Sequence, residues 1–166
     1  MKSIYKAERN WGDEFLIFVA PKYYTLKILR VIAGHKGGLQ SHHKKFECGV
    51  ILQGKMKIKT GPNPKVLDEK VIGKGDFFVF NPGLVHQEEA IEETFILEIS
   101  SPHFNDRIRY DHKKNDENLL PTTNKDEVIE INYSSQIENI KKFGFEKINS
   151  DQGIIFSEIL KGLDGF

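Results

Sequence analysis

Short apolar runs, broken by glycine and proline, fill the first two-thirds of the chain. They are rich in Phe, Ile, Val, Leu and Tyr and predict strands at Glu14–Ala20, Tyr23–Ala33, Phe46–Gln53, Lys55–Thr60, Phe77–Phe80 and Thr94–Ser100. Gly54 separates two of these runs as in a tight hairpin, and Gly61–Pro64 predicts a turn. Many short strands at this spacing are typical of a sandwich or a barrel, the class to which jelly rolls belong.

The pattern changes after Pro102. Phe104–Asn124 is charged and poor in apolar residues, which predicts a long loop. Beyond it the sequence predicts a strand at Val128–Asn132, a short helix capped by Ser134 or Ser135, and an apolar end at Gly153–Leu163. We therefore expect a barrel over residues 1–110 and a short α/β extension over residues 111–166, within one domain. The extension should pack on the barrel or on a second subunit.

Charge and composition exclude several classes of protein. Among 166 residues, 24 are Lys or Arg and 24 are Asp or Glu, so the net charge is zero and the surface as a whole does not favour nucleic acid. No apolar run approaches the roughly 20 residues that span a bilayer. The N-terminal stretch lacks the apolar core of a signal peptide, and the single Cys48 has no partner for an internal disulfide. We expect a cytoplasmic protein without a membrane anchor.

Two segments carry the candidate chemistry. The first runs from Gly38 to Gly54 and contains Gln40, adjacent histidines and Glu47; the second runs from Gly75 through Pro82-Gly83 to His86. Each resembles one of the two sequence motifs of the cupins. The resemblance implies a double-stranded β-helix, or jelly-roll barrel, in an all-β fold.

The spacing of these residues suits a metal site. Side chains two apart on a strand point to the same face, here the barrel interior, and Glu47 and His86 reach the same point from other strands. Imidazole nitrogen and carboxylate oxygen suit zinc, with manganese, iron, cobalt and nickel as alternatives. The predicted metal ligands are Gln40, His42, Glu47 and His86.

The register of the first segment leaves an alternative open. If His43 rather than His42 is the ligand, Ser41 takes the position two residues before it. We prefer the pair Gln40 and His42, because an amide oxygen coordinates a metal better than a serine hydroxyl does.

A narrower resemblance covers about the first 110 residues. Arg9-Asn10-Trp11-Gly12, the stretch Leu39–Lys44, and Glu98–Pro102 followed by Arg107 and Arg109 resemble segments of the cupin domain of type II mannose-6-phosphate isomerases. That family uses a metal to interconvert aldose and ketose sugar phosphates. The resemblance implies a small carbohydrate as substrate.

Three cations are candidate catalytic residues under this resemblance. Lys45 lies two residues before Glu47, where related isomerases place a Lys or Arg beside the ligand Glu, and Lys27 matches a Lys in the resembling segment. A nearby base would move the proton, and Arg109, or Arg107, could hold a phosphate through two hydrogen bonds. The rival functions are a sugar-binding cupin without turnover, a non-haem iron oxygenase, and a metal-free sugar epimerase. The apolar strand Tyr23–Ala33 and the apolar C-terminal end also predict a homodimer.

Overall fold

The computed structural model describes residues 4–20, 22–104, 106–111, 141 and 144–148. Within these residues, twelve strands form two antiparallel sheets. The strands are β1 Tyr5–Arg9, β2 Gly12–Ala20, β3 Tyr24–Val31, β4 Gln40–His42, β5 Glu47–Gln53, β6 Lys55–Asn63, β7 Val66–Gly73, β8 Phe77–Phe80, β9 Val85–Ala90, β10 Thr94–Ser100, β11 Arg107–Arg109 and β12 Glu146–Lys147. One sheet has the order β12-β1-β2-β3-β10-β5-β8, and the other has the order β11-β4-β9-β6-β7.

The two sheets enclose an interior that is apolar toward one end and polar toward the other. A buried cluster fills the apolar end with Val31, Ile51, Met56, Ile58, Ile72, Phe78, Phe80, Ala90 and Ile96. Because side chains alternate along a strand, Glu98 and Ser100 of β10 face the same interior as Ile96, but farther along the barrel. The residues predicted to bind a metal lie at this polar end.

Two glycines are needed by the geometry of β5. Gly54 has φ of 89° in the turn to β6, and a side chain there would collide with the carbonyl of Glu93, 2.2 Å from the Cβ position. Gly49 faces the interior, and a Cβ there would lie 2.5 Å from the ring of Phe78. Any larger residue at Gly49 would therefore displace Phe78 from the core.

The all-β jelly-roll fold predicted from the sequence is confirmed, and some boundaries are corrected. Strand β6 continues to Asn63, so the turn predicted at Gly61–Pro64 begins later, after an irregularity in the pairing with β7. The sequence did not predict β1 or β7, which are polar or largely exposed. It also assigned β11 to a loop, although this short strand pairs with β4.

The described part of the C-terminal extension packs on the barrel. Strand β12 pairs with β1, and Phe145 lies buried against Ala7, Leu16 and Val19. The strand predicted at 128–132, the short helix and the apolar end at 153–163 lie outside the described residues. Among the residues that are described, no helix is long and apolar enough to cross a membrane.

Candidate metal centre

Three potential metal ligands converge at the polar end of the barrel. His42 ends β4, Glu47 begins β5, and His86 lies in β9. The Nε2 atoms of His42 and His86 are 3.4 and 3.3 Å from the same Glu47 oxygen, Oε2. One ligand atom from each residue lies within 4.8 Å of the others, and all three residues are buried. The group could hold one divalent metal ion.

Both histidines are fixed in the tautomer that a metal site needs. The Nδ1 of His42 donates to the carbonyl of Asp106 at 2.8 Å, and the Nδ1 of His86 donates to that of Leu84 at 3.0 Å. A carbonyl can only accept, so each Nδ1 carries a proton, and in the neutral imidazole each Nε2 keeps its lone pair. The Nε2 of His42 is buried and makes no hydrogen bond. A metal ion would satisfy this nitrogen, so the donor set fits the cofactor.

Glu47 uses its two oxygens differently. Lys45 Nζ contacts Oε1, whereas Oε2 faces the histidines. Burial by itself would raise the pKa of Glu47, but the positive charge of Lys45 is the largest of the influences that outweigh it and hold the pKa well below its usual range. Glu47 is therefore an anion that can ligate through Oε2.

The structure distinguishes the two registers of the first segment. Gln40 pairs with His86 across the sheet, and its side-chain amide lies 3.3 Å from His86 Nε2. Rotation of the amide by half a turn would present its oxygen to the centre instead of its nitrogen. Ser41 points to the other face, where its hydroxyl bonds Tyr110 at 2.9 Å, and His43 is exposed. The geometry thus groups Gln40 and His42 with the centre.

Lys27 lies in a buried chain of alternating charges beneath the centre. Its ammonium is 2.7 Å from Glu14 Oε1 and 3.6 Å from Glu98 Oε1, and Arg9 holds the other oxygen of Glu14 at 2.8 Å. Burial alone would lower the pKa of Lys27, but the charges of Glu14 and Glu98 outweigh burial and raise it. Lys27 therefore stays protonated, which favours a structural charge over a base.

The predicted anion-binding arginines lie at the rim. Arg107 pairs directly with His42, and Arg109 pairs with Gln40, so their side chains start from the same face of the sheet as the centre. Both arginines are exposed, and the guanidinium of Arg109 contacts Asp111 at 3.3 Å. This is a suitable place for the anionic end of a small molecule whose other end reaches the centre.

Sequence reasoning missed three residues that shape the site. Phe80 stacks on the ring of His86 at a centroid distance of 4.2 Å, Glu88 faces the interior two residues after His86, and Asp106 contacts the loop between His42 and Glu47. Phe80 and Glu88 could have been found from the period of two along β8 and β9. Nothing local marks Asp106, whose contacts span more than sixty residues of sequence.

Glu88 should give the metal-free protein a distinct pH dependence. Burial raises its pKa to about 6; Glu47 and Glu98 add to the rise, and His86 opposes it. Since the folded state then binds more protons than the unfolded state between pH 4.5 and 6, this group makes stability fall as pH rises through that window. We expect Glu88→Gln to remove that slope and to gain roughly 2 kcal/mol above pH 6. Urea unfolding of both proteins from pH 4 to 8, with chelator, checks this; parallel curves would contradict it.

A comparison with known families assigns this architecture. The family model described as Cupin matches residues 27–128, which is more than half of the chain. The chain belongs to the cupin family. The matched range contains the whole candidate centre, from Gln40 to His86, and the strand that carries Arg107 and Arg109.

The individual proteins that resemble this cupin match it over a short segment or at low sequence identity. A germin-like protein, subfamily T member 3, of Arabidopsis thaliana is 39% identical over 54 residues, which are 32% of this chain and 24% of that protein. CapF, the capsular polysaccharide assembling protein of Staphylococcus aureus, superposes with a TM-score of 0.58 at 15% identity, over 66% of this chain and 32% of its own. Oxalate decarboxylase of Bacillus subtilis gives 0.56 at 19% identity, over 63% and 29%. This cupin thus spans about a third or less of the length of these relatives, and the superpositions show a shared fold.

Proposed function

We propose that this cupin is a metal-dependent enzyme that acts on a sugar phosphate or an activated sugar, with aldose–ketose isomerisation as its reaction. The observation that carries the proposal is the convergence of two imidazole lone pairs and one carboxylate oxygen, on His42, His86 and Glu47, at the polar end of the barrel. Gln40 completes the proposed ligand set, and zinc is the expected ion. A bound divalent ion would supply Lewis-acid polarisation of adjacent carbonyl and hydroxyl oxygens.

The surrounding residues support isomerisation in particular. Isomerisation moves a proton between neighbouring carbons, so it needs a group that can give and take a proton beside the polarised oxygens. Lys45 lies beside Glu47 with its side chain mostly buried, and we assign it this role. Arg109 or Arg107 would bind the phosphate at the rim, and Lys27 would contribute a fixed positive charge below the centre.

Two similarities support a carbohydrate as the substrate. The segments around Arg9, Leu39 and Glu98 resemble the cupin domain of type II mannose-6-phosphate isomerases. One structural relative, CapF, is described as a capsular polysaccharide assembling protein. Neither similarity identifies the sugar, so the test must use a panel.

The test combines metal analysis with isotope exchange. We expect close to one divalent ion per chain, and entry of solvent deuterium at the carbon next to the carbonyl of at least one compound in a panel of sugar phosphates and nucleotide sugars. Metal without exchange from any compound would support a sugar-binding cupin that does not turn over. Iron together with substrate-dependent oxygen uptake would support an oxygenase, since two histidines and one carboxylate also form the iron-binding triad. A chain without metal would reject the proposal.

Replacing Lys45 should separate catalysis from metal binding. At saturating metal we expect Lys45→Met to keep its ion and to lose roughly 10²–10⁴-fold in turnover, the usual contribution of a proton shuttle. Isotope exchange and metal content, measured on the same preparation, check this. Lys59→Met is the control, because Lys59 pairs with Glu69 and lies opposite Gln87, so its side chain starts from the other face of the sheet than that of His86. Full activity in Lys45→Met would contradict the proton-transfer role of Lys45 but not the proposal that the protein is an isomerase.

The homodimer remains a prediction, and the outer face of the larger sheet provides its test. This face exposes Phe46, Val50, Phe77, Val79 and Ile99, of which Phe77 is the most exposed, at 71%. Among the described strands β8 also lies at the edge of the larger sheet, so that it can pair with β8 of a second copy. We expect sedimentation to give twice the monomer mass and Phe77→Lys to shift the protein toward monomer. A monomeric wild type at micromolar concentration would contradict this.

A further inference from the structure

The segment that follows β10 is hydrogen-bonded to the loop that joins two of the proposed ligands. This loop, residues 43–46, runs from His42 at the end of β4 to Glu47 at the start of β5. Its last residue, Phe46, exchanges two hydrogen bonds with Ser101: the amide of Phe46 donates to the Ser101 hydroxyl at 3.0 Å, and the amide of Ser101 donates to the Phe46 carbonyl at 2.9 Å. The other three residues of the loop are held by Asp106.

Asp106 makes four hydrogen bonds to this part of the chain. Its carboxylate accepts the backbone amides of three consecutive residues: Oδ1 accepts from His43 at 3.2 Å, and Oδ2 accepts from Lys44 at 2.5 Å and from Lys45 at 2.6 Å. Its carbonyl accepts the Nδ1 proton of His42 at 2.8 Å. One residue therefore fixes both the path of the loop and the orientation of the imidazole at its start.

We infer that Asp106 is a positioning residue of the metal centre, acting through His42 and the 43–45 backbone. Three amides that point at one carboxylate hold the loop in a single bend, which sets where Lys45 and Glu47 begin. The same anchorage keeps the Asp106 carbonyl against His42 Nδ1, so the Nε2 lone pair faces the centre. This inference rests on the proposed metal site, but its first consequence, the tautomer of His42, exists without any metal.

The variants form a graded series. In Asp106→Asn, the amide oxygen can keep the two bonds to Lys44 and Lys45, but no second oxygen remains for the amide of His43. In Asp106→Ala all three side-chain bonds are lost, and the residue 106 carbonyl is free to move away from His42. The matched control is Asp76→Ala, since Asp76 is an exposed aspartate that also accepts a backbone amide, that of Gly73 at 2.9 Å, in a turn between β7 and β8.

The first measurement reads the His42 tautomer in the metal-free protein. Long-range ¹H–¹⁵N spectra distinguish the two neutral forms of an imidazole from each other and from the charged form, and His42→Gln identifies the signal. We expect the Nδ1–H form alone in wild type and in Asp76→Ala, a minor Nε2–H form in Asp106→Asn, and a mixture in Asp106→Ala. A purely structural role would lower the melting temperature without mixing the tautomers. If His42 keeps the Nδ1–H form in a folded Asp106→Ala, the inference is overturned.

The second measurement is zinc affinity by competition with a chelator. We expect Asp106→Ala to bind about 10–100-fold more weakly than wild type, the range typical for partners of a metal-bound histidine, with Asp106→Asn between them and Asp76→Ala unchanged. If Asp106→Ala does not fold, Asp106→Asn decides: wild-type affinity with an unmixed tautomer overturns the inference. A wild type that binds no zinc or other divalent ion rejects the proposed function. The tautomer measurement, which needs no metal, then still tests whether Asp106 orients His42.

Discussion

Replacing Glu47 by glutamine should abolish metal binding while the barrel still folds. Glu47 supplies the only carboxylate of the group formed with His42 and His86, and its ionised form is stabilised by Lys45. A neutral amide in its place removes the anionic ligand, so we expect affinity for zinc to fall by more than about 100-fold, the upper end of the loss seen for residues that only support a ligand. Turnover should disappear with the metal.

Calorimetric titration of metal-free wild type and Glu47→Gln with zinc checks this, with circular dichroism to verify the fold. His86→Ala should behave in the same way, since it removes a nitrogen ligand from β9 rather than an oxygen ligand from β5. Glu69→Gln is the matched control, because Glu69 is an exposed carboxylate on β7 that also pairs with a lysine, Lys59. If Glu47→Gln binds zinc as wild type does, the ion is bound elsewhere on the chain.

Replacing Lys27 by methionine should cause the largest loss of stability. Lys27 is 4% exposed and balances two buried carboxylates, Glu14 and Glu98. Removing one partner of a buried ion pair leaves an uncompensated charge, which costs about 3–5 kcal/mol. Urea unfolding at neutral pH measures this loss. The double variant Lys27→Met/Glu14→Gln should recover part of it, because one of the two buried carboxylates that lost Lys27 is then also gone.

The pH dependence provides a second check on Lys27. The charges of Lys27 and Arg9, working against burial, lower the pKa of Glu14 from 4.5 to about 2. A carboxyl with a depressed pKa stabilises the fold above pH 4.5 and loses this contribution as the pH falls toward 2. In Lys27→Met this contribution is smaller, because only Arg9 then acts against burial, so the difference from wild type should shrink in acid. A difference that stays constant down to the acid transition, or a loss below about 1 kcal/mol, would show that the network is not essential.

The residues that the structure brings together, His42, Glu47 and His86, could be proposed from the sequence because local rules point to them. The period of two links Gln40 to His42 and turns Ser41 away, while Pro82-Gly83 marks the turn before His86. The ion network was not predictable in the same way. Lys27 meets Glu14 and Glu98 only because β3 lies between β2 and β10 in a particular register, and no spacing along the chain encodes that register.

Weak strands were missed for a related reason. β7 has only one buried residue, Ile72, and β11 is three residues long with two arginines, so neither shows an apolar pattern. Both form because a neighbouring strand offers backbone partners: β6 for β7, and β4 for β11. Since β11 carries Arg107 and Arg109, the missed strand is also what places the predicted anion-binding arginines at the rim of the centre.

The contacts of Asp106 also determine when the centre is completed as the chain is made. All four proposed ligands precede residue 87, yet the residues that orient His42 and shape the 43–46 loop come from 101–106, and the strand beside β4 comes later still. A nascent chain that has emerged only as far as His86 would carry every ligand but none of these supports. High-affinity metal uptake should therefore follow the synthesis of β11 and not that of the last ligand.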